Sequence, residues 1–293
     1  MTKQFGMSQF EAFEKGKRLR QRHQDVVYGI SLDTGSSRYP HVYIFSPPGL
    51  GKTYLMNQHL SQSNTPYLQV SGNVSMFALG IRLAVINYNN RENERIIILV
   101  DDCDEIFKNE INCNIMKNVL DGIRTFKYEK SLQSQWSSLS DIQQEAIKFH
   151  QEEGQMGFNV QCDKMQFVFN SNFKLPTDDE VRIARQKGGG KSILIAHKNA
   201  IRSRCRVLDF DLKGAEHYGW IADVVMNTDC LQQFQFSDVE KQIILDFLWY
   251  NWSTLTERSI RLVEKMSENM VENPMDYQEI WEMEFTKNSL SWI

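Results

Sequence analysis

The chain has no C-x-x-C pair, and its five cysteines (Cys103, Cys113, Cys162, Cys205 and Cys230) are an odd, scattered set. That pattern speaks against a zinc site and against a disulfide frame, and the cysteines read as reduced thiols in a cytoplasmic setting. No apolar run approaches the length of a membrane span, and the polar start Met1-Thr2-Lys3-Gln4 is not that of a signal peptide. A basic excess is also lacking: the formal net charge over 293 residues is −4. A protein that grips DNA through many phosphates usually carries the opposite sign. Basic clusters are local: Lys15, Lys17, Arg18, Arg20 and Arg22 near the start, and Lys187 and Lys191 around Gly188-Gly189-Gly190. They read first as solvated faces, although a ring of subunits would concentrate them. No internal repeat or low-complexity tract is visible. With 41% apolar and 24% charged residues, the composition is that of a soluble globular chain, long enough for one large and one small domain.

What is present begins with Ser46-Pro47-Pro48-Gly49-Leu50-Gly51-Lys52-Thr53, directly after the apolar run His41-Val42-Tyr43-Ile44-Phe45. A strand feeding a glycine-rich turn that ends in Lys-Thr is the arrangement of a phosphate-binding loop. Gly49 and Gly51 allow the sharp turn that aims backbone N–H groups at phosphate oxygens. Lys52 brings a point charge for the β- and γ-phosphates, and Thr53 a hydroxyl for Mg²⁺. Tyr54 continues into a helix whose positive end faces the same site. Ser46 departs from the pattern, since a glycine is expected there.

A second motif follows. Ile96-Ile97-Ile98-Leu99-Val100 is long and β-branched enough for a buried parallel strand, and it ends in Asp101-Asp102-Cys103-Asp104-Glu105. A carboxylate at the end of such a strand, beside a phosphate loop, is placed to hold a Mg²⁺-bound water. The alternative for Asp101 is the N-cap of a following helix. The next carboxylate, Asp102, is placed to polarise the attacking water.

These two motifs resemble those of the AAA+ ATPases, over roughly residues 25 to 270. The resemblance implies a P-loop α/β fold, a parallel sheet sandwiched by helices and followed by a small all-α lid domain. It implies ATP and Mg²⁺ as ligands, with Pro48 to Tyr54 around the phosphates and Thr53 and Asp101 on the metal. The family's strand usually ends in Asp-Glu. Asp102 is one methylene shorter, which moves the base by roughly 1.5 Å, enough to matter for an in-line attack. Slower hydrolysis is therefore expected, or a role shared with Glu105 or Asp104.

Three later segments fit the family's order. Met165 to Phe169 is an apolar strand ending in Asn170-Ser171-Asn172. The resemblance puts a polar residue at that strand's tip to help place the water, with Asn172 preferred over Asn170. Ser203-Arg204-Cys205 before the strand Val207 to Leu212 resembles clamp-loader subunits, which implies that Arg204 (or Arg202) reaches a neighbouring subunit's ATP. Arg261, in a helical pattern, resembles the lid arginine that touches nucleotide in the same chain. Val27 and Ile30 are candidates for the adenine pocket. An arginine acting in trans implies a homo-oligomer or a hetero-oligomeric ring. The small ATPases of viral and mobile-element DNA metabolism are the nearest in flavour, so DNA or a DNA-replication protein is the expected partner and DNA replication or processing the expected role.

The pattern along the chain suggests an N-terminal helix in residues 1–24, opened by the capping box Ser8-x-x-Glu11. A nucleotide-binding domain is expected in 25–212, with an insertion at about 129–164, and a helical domain in 213–293. Asp33 to Ser37 reads as a turn. Within the second domain we expect helices at Lys52–Ser61, Val74–Tyr88 and Asn114–Tyr128, a short strand at Tyr67–Val70, and a helix at Ser140–Gln151. Phe158 to Cys162 alternates in polarity, and Asp163-Lys164 is expected to turn it back on the next strand as a hairpin. Helices are expected at Ala215–Met226, from the Ser237 cap to Trp252, at Thr256–Val271 and at Tyr277–Phe285. Trp249, Tyr250 and Trp252 read as packing residues before they read as a base-stacking platform. Two other functions remain open: a protein-remodelling ATPase, which needs an exposed aromatic near Met76-Phe77, and a slowly hydrolysing nucleotide switch.

Overall fold

The computed structural model describes residues 5–32, 40–62, 65–90, 95–122, 124–187 and 191–287. The chain divides into two compact units, one of residues 1–28, 47–55 and 211–293 and the other of 29–46 and 56–210. The elements along the chain are α1 (Gln9–Leu32), β1 (His41–Phe45), α2 (Lys52–Gln62), β2 (Tyr67–Ser71), α3 (Met76–Asn89) and β3 (Ile96–Asp101). After a short 3₁₀ turn come α4 (Glu110–Leu120), β4 (Thr125–Tyr128), α5 (Asp141–Phe149), β5 (Phe158–Gln161), β6 (Met165–Ser171), α6 (Asp178–Lys187), α7 (Lys191–Arg202) and β7 (Cys205–Asp209). The chain continues through α8 (Ala215–Asn227), α9 (Asp238–Asn251), α10 (Ile260–Glu272) and α11 (Tyr277–Phe285).

The second unit holds a five-stranded, all-parallel sheet in the order β2-β3-β6-β1-β7, flanked by helices. Every residue of β3 and β6 is buried, which is why both read as continuous apolar runs. Their register sets Asp101 opposite Asn170, and β6 pairs Asn170 with Ile44 of β1 on its other side. The strand that ends in acids and the strand that ends in asparagines are therefore neighbours. The core of this unit gathers Tyr43, Ile98, Val100, Phe107, Met116, Phe167 and Phe169.

The α/β fold and the helical C-terminal region are as the pattern indicates, but several elements differ. The helix expected over 114–128 ends at Leu120, and Thr125–Tyr128 forms β4. β5 does not fold back on β6; it pairs antiparallel with β4, Phe126 opposite Val160, in a separate two-stranded sheet. Both of β6's sides are taken by β1 and β3, so it has no free edge to offer. β7 runs from Cys205 to Asp209 rather than from Val207 to Leu212, in register with all five residues of β1. α6 and α7 had no counterpart in the pattern, although Thr177 and Glu180 form a capping box at the start of α6 (Thr177 N to Glu180 Oε2, 2.7 Å). The turn at Asp33–Ser37 and the glycines 188–190 lie outside the described residues, as does the side chain of Ile30.

In the first unit the Ser8 box opens α1 as expected (Ser8 N to Glu11 Oε2, 2.6 Å), but the helix runs on to Leu32. α1 lies directly on α8. A Cβ at Gly16 would come within 1.9 Å of the Gly219 carbonyl group, and one at Gly219 within 1.9 Å of Ala12 O. Arg20 pairs with fully buried Asp223, and Lys15 with Glu216 at 2.9 Å. Two members of the basic cluster are thus held by ion pairs within the chain, while Lys17, Arg18 and Arg22 are exposed. Trp249 and Trp252 are buried and pack on Tyr218 edge-on, as packing residues, whereas Tyr250, expected to pack with them, is exposed. We expect Gly16→Ala to destabilise the chain. Helix propensity favours alanine by about 1 kcal/mol, but a methyl driven into backbone that cannot rotate away costs of order 3 kcal/mol. A urea midpoint unchanged by this variant would contradict the close α1–α8 approach.

Among the described residues no helix is long and apolar enough to cross a membrane.

Candidate functional site

The loop after β1 is shaped by three carbonyl anchors. Gly49 O accepts from Ile260 N at 2.8 Å, Leu50 O from the indole Nε1 of Trp220 at 2.8 Å, and Gly51 O from Leu55 N at 2.9 Å. In a planar trans peptide, the N–H of the next residue points opposite to the carbonyl. The N–H groups of Leu50, Gly51 and Lys52 therefore all turn away from these anchors, a run of donors of the kind that cradles an anion. The start of α2 at Lys52 adds the positive end of a helix.

Both glycines are required by the backbone. Gly49 has φ +81° and Gly51 φ +75°, and a Cβ on them would meet Ser259 Cβ at 2.5 Å and Ile260 Cδ1 at 2.8 Å. Ser46, where a glycine was expected, is not among the positive-φ residues. Its N–H donates to Ser171 O at 3.2 Å, so an ordinary L-residue serves at this position. Pro48 is exposed, and Lys52 is buried with Nζ 3.4 Å from Pro47 O. The Tyr54 hydroxyl bonds Asp229, and burial followed by that carboxylate pushes its pKa up to about 12.

The same unit brings Arg261 to the loop. Ser259 caps α10, accepting from Leu262 N at 3.0 Å, and Ile260 is bonded to Gly49. Arg261, the next residue, is exposed at the N-terminal turn of that helix. This proximity joins residues more than two hundred positions apart and depends on the Ile260–Gly49 bond. Val27 is buried in α1.

In the sheet unit, Asp101 is buried as the last residue of β3. Asp102 is exposed, with φ +51°, and its N–H donates to Asn170 O at 3.0 Å. That left-handed conformation gives a physical reason for the short acid. Asp and Asn tolerate this region through local hydrogen bonding, whereas longer side chains do so less readily. The Asp102 carboxylate accepts from Asn172 Nδ2 at 2.9 Å. Asp104 is bonded by Ser171 Oγ, and Glu105 is paired with Lys108.

The two asparagines differ. Asn172 is exposed and contacts the acid. Asn170 is 1% exposed, and neither Oδ1 nor Nδ2 has a hydrogen-bond partner. An unpaired buried amide costs about 1–3 kcal/mol for each polar group left unsatisfied, so such groups in a native protein call for a reason. Arg204 is bonded to Asp121, and Arg202 Nη1 donates to Leu175 O at 3.2 Å. Met76 is buried, and Phe77 is half-buried against Tyr128 with ring centroids 5.2 Å apart, so neither is the exposed aromatic that gripping a peptide would need.

Among the described residues no group of three or more His, Cys, Asp or Glu could hold a metal ion alone. Thr53, in the first unit, and Asp101, in the second, each carry an oxygen of the hard kind that Mg²⁺ takes.

Residues 42–133 match the sequence model of a family described as ATPase family associated with various cellular activities (AAA). The match takes in β1, the loop, β3 and the acids after it, and stops before β6, Arg204 and Arg261. Over those residues the chain is similar to that family. No curated protein matches the chain.

Proposed function

We propose that the chain binds and hydrolyses Mg²⁺·ATP as an oligomer. The observation that carries this reading is the set of three carbonyl anchors that turn the N–H groups of Leu50, Gly51 and Lys52 away from their bonded carbonyls, with Lys52 at the start of α2. Those donors and the Lys52 charge bind the phosphates. Thr53 and Asp101 hold Mg²⁺, which neutralises charge on the phosphate oxygens. Asp102 orients the attacking water and takes its proton, with Asn172 holding the carboxylate in place. Asn170 supplies the buried amide that meets the water or the terminal phosphate. Arg261 acts on nucleotide in its own chain, and Arg204 on nucleotide in the next.

Asn170 gives a sharp expectation. Asn170→Val removes two unsatisfied polar atoms and suits a strand, so stability should stay level or rise by about 1–2 kcal/mol. Turnover should fall about 10²-fold, the usual effect of losing one preorganised donor. Equal turnover in this variant and wild type would remove Asn170 from the site.

DNA is the client we propose, in replication or processing, on the strength of the Ser-Arg-Cys motif and the exposed Lys17, Arg18 and Arg22. The half-buried Phe77 weighs against protein remodelling. The switch reading keeps one observation in its favour, a short acid held by Asn172. Steady-state ATP hydrolysis with and without Mg²⁺, single-stranded DNA, primed DNA or an unfolded peptide separates the three. A Mg²⁺-dependent rate raised by DNA supports the first reading. A rate raised by peptide alone supports remodelling, and binding without turnover supports the switch.

A further inference from the structure

Arg204, whose role above requires it to reach another subunit, is held within its own chain. Its Nε and Nη2 both donate to Asp121 Oδ2, at 3.2 and 2.7 Å, and its Nη1 donates to Ala200 O at 2.7 Å. The pair lies in a cavity of about 390 Å³ that Gly122, Arg124 and Ser203 also line. Asp121 is the C-cap of α4. A carboxylate there stands at the negative end of a helix, where the macrodipole disfavours it. Its compensation is the Arg204 guanidinium, with a second bond from Gly122 N at 2.9 Å.

We propose that Asp121 is an internal stand-in for phosphate. It holds Arg204 in the lone chain, and the terminal phosphate of a nucleotide carried by a second copy of this chain displaces it. The proposal rests on the reading of Arg204 as a residue that acts in trans.

Carboxylate and phosphate oxygens compete for the same guanidinium fork. Asp121 is 56% exposed and Arg204 27%, so their bond is partly screened and readily exchanged. The arginine still holds the carboxyl below its usual range, chiefly through the side-chain hydrogen bond, so the latch stays charged at neutral pH. A phosphate brings more negative charge than Asp121, and Arg124, whose Nη1 bonds Asp163 O at 2.9 Å, places a second cation in the same cavity.

Exchange needs only a side-chain rotation. α4 and α7 stay joined by Lys117 Nζ to His197 Nδ1 (2.6 Å) and His197 Nε2 to Glu110 Oε1 (3.1 Å), while Arg204 N stays on Ile201 O at 3.0 Å.

The test is self-association of the full chain by sedimentation velocity in Mg²⁺ and a non-hydrolysable ATP analogue. Asp121→Asn should lower the half-association concentration about three-fold, the scale of a lost surface pair. Arg204→Ala should raise it by at least ten-fold, and Asp121→Asn combined with Arg204→Ala should match Arg204→Ala alone. Asparagine is well tolerated at helix ends, and Asp121→Ser gives a second neutral cap; thermal melts confirm that both fold. No gain in either neutral variant, or an equal gain without Arg204, overturns the latch while leaving Arg204 in its role. Association and turnover unaffected by Arg204→Ala would instead overturn the trans reading.

Discussion

Arg204→Ala is expected to lower ATP turnover by about 10³–10⁵-fold, the worth of an arginine that neutralises charge on a transferring phosphoryl group. Folding should be nearly unaffected. The bonds lost are the half-exposed pair with Asp121 and one to Ala200 O, and surface pairs contribute about 0–1 kcal/mol. A mixing experiment separates action in trans from action in cis. A Lys52→Ala chain keeps Arg204 but lacks the loop's charge, so adding it to the Arg204→Ala chain should restore part of the lost turnover. Turnover of Arg204→Ala within a few-fold of wild type would sink the assignment. A deep loss that mixing cannot rescue would place the arginine's action within its own chain.

Asp102→Asn should cost about 10²–10⁴-fold in turnover, the usual share of a positioned general base, and leave ATP binding intact. Asparagine accepts the φ of +51° as well as aspartate does, so the variant tests chemistry with little change in backbone energy. Asp102→Glu is the informative partner. It restores the longer acid but places it in a left-handed conformation, at a cost of roughly 1–2 kcal/mol. A large rise in turnover on Asp102→Glu would favour the nucleotide switch. A loss in both variants fits an aspartate adapted to its own backbone. Unchanged turnover in Asp102→Asn would show that another group activates the water.

The glycine turn after β1 and the strands β1, β3 and β6 were legible because their signals are local: a buried parallel strand is a continuous apolar run, and Gly49 and Gly51 mark a sharp turn without a partner elsewhere. The capping boxes at Ser8 and Ser237 were legible for the same reason, each being closed within a single turn. Partner choice was not. Phe158–Gln161 alternates as any half-buried strand does, and only the sheet order shows that β6 has no edge left for it. Thr125–Tyr128 reads equally well as the end of a helix, since four residues carry little periodicity. At the site, residue types were visible and their engagements were not. The left-handed backbone of Asp102, the unpaired amide of Asn170 and the Asp121–Arg204 pair all depend on elements distant in sequence. Arg261 could be set beside the loop by resemblance alone until the Ile260–Gly49 bond placed it there.

The measurement that bears most directly on the central claim is a titration of the purified chain with a fluorescent ATP analogue in Mg²⁺, beside the Lys52→Ala variant. The account predicts saturable binding by the native chain, weakened by about 10²-fold or more in Lys52→Ala, since a charge on the phosphates is lost from a preorganised loop. Binding of equal strength in both chains would contradict it, because the nucleotide would then not be held by the loop after β1.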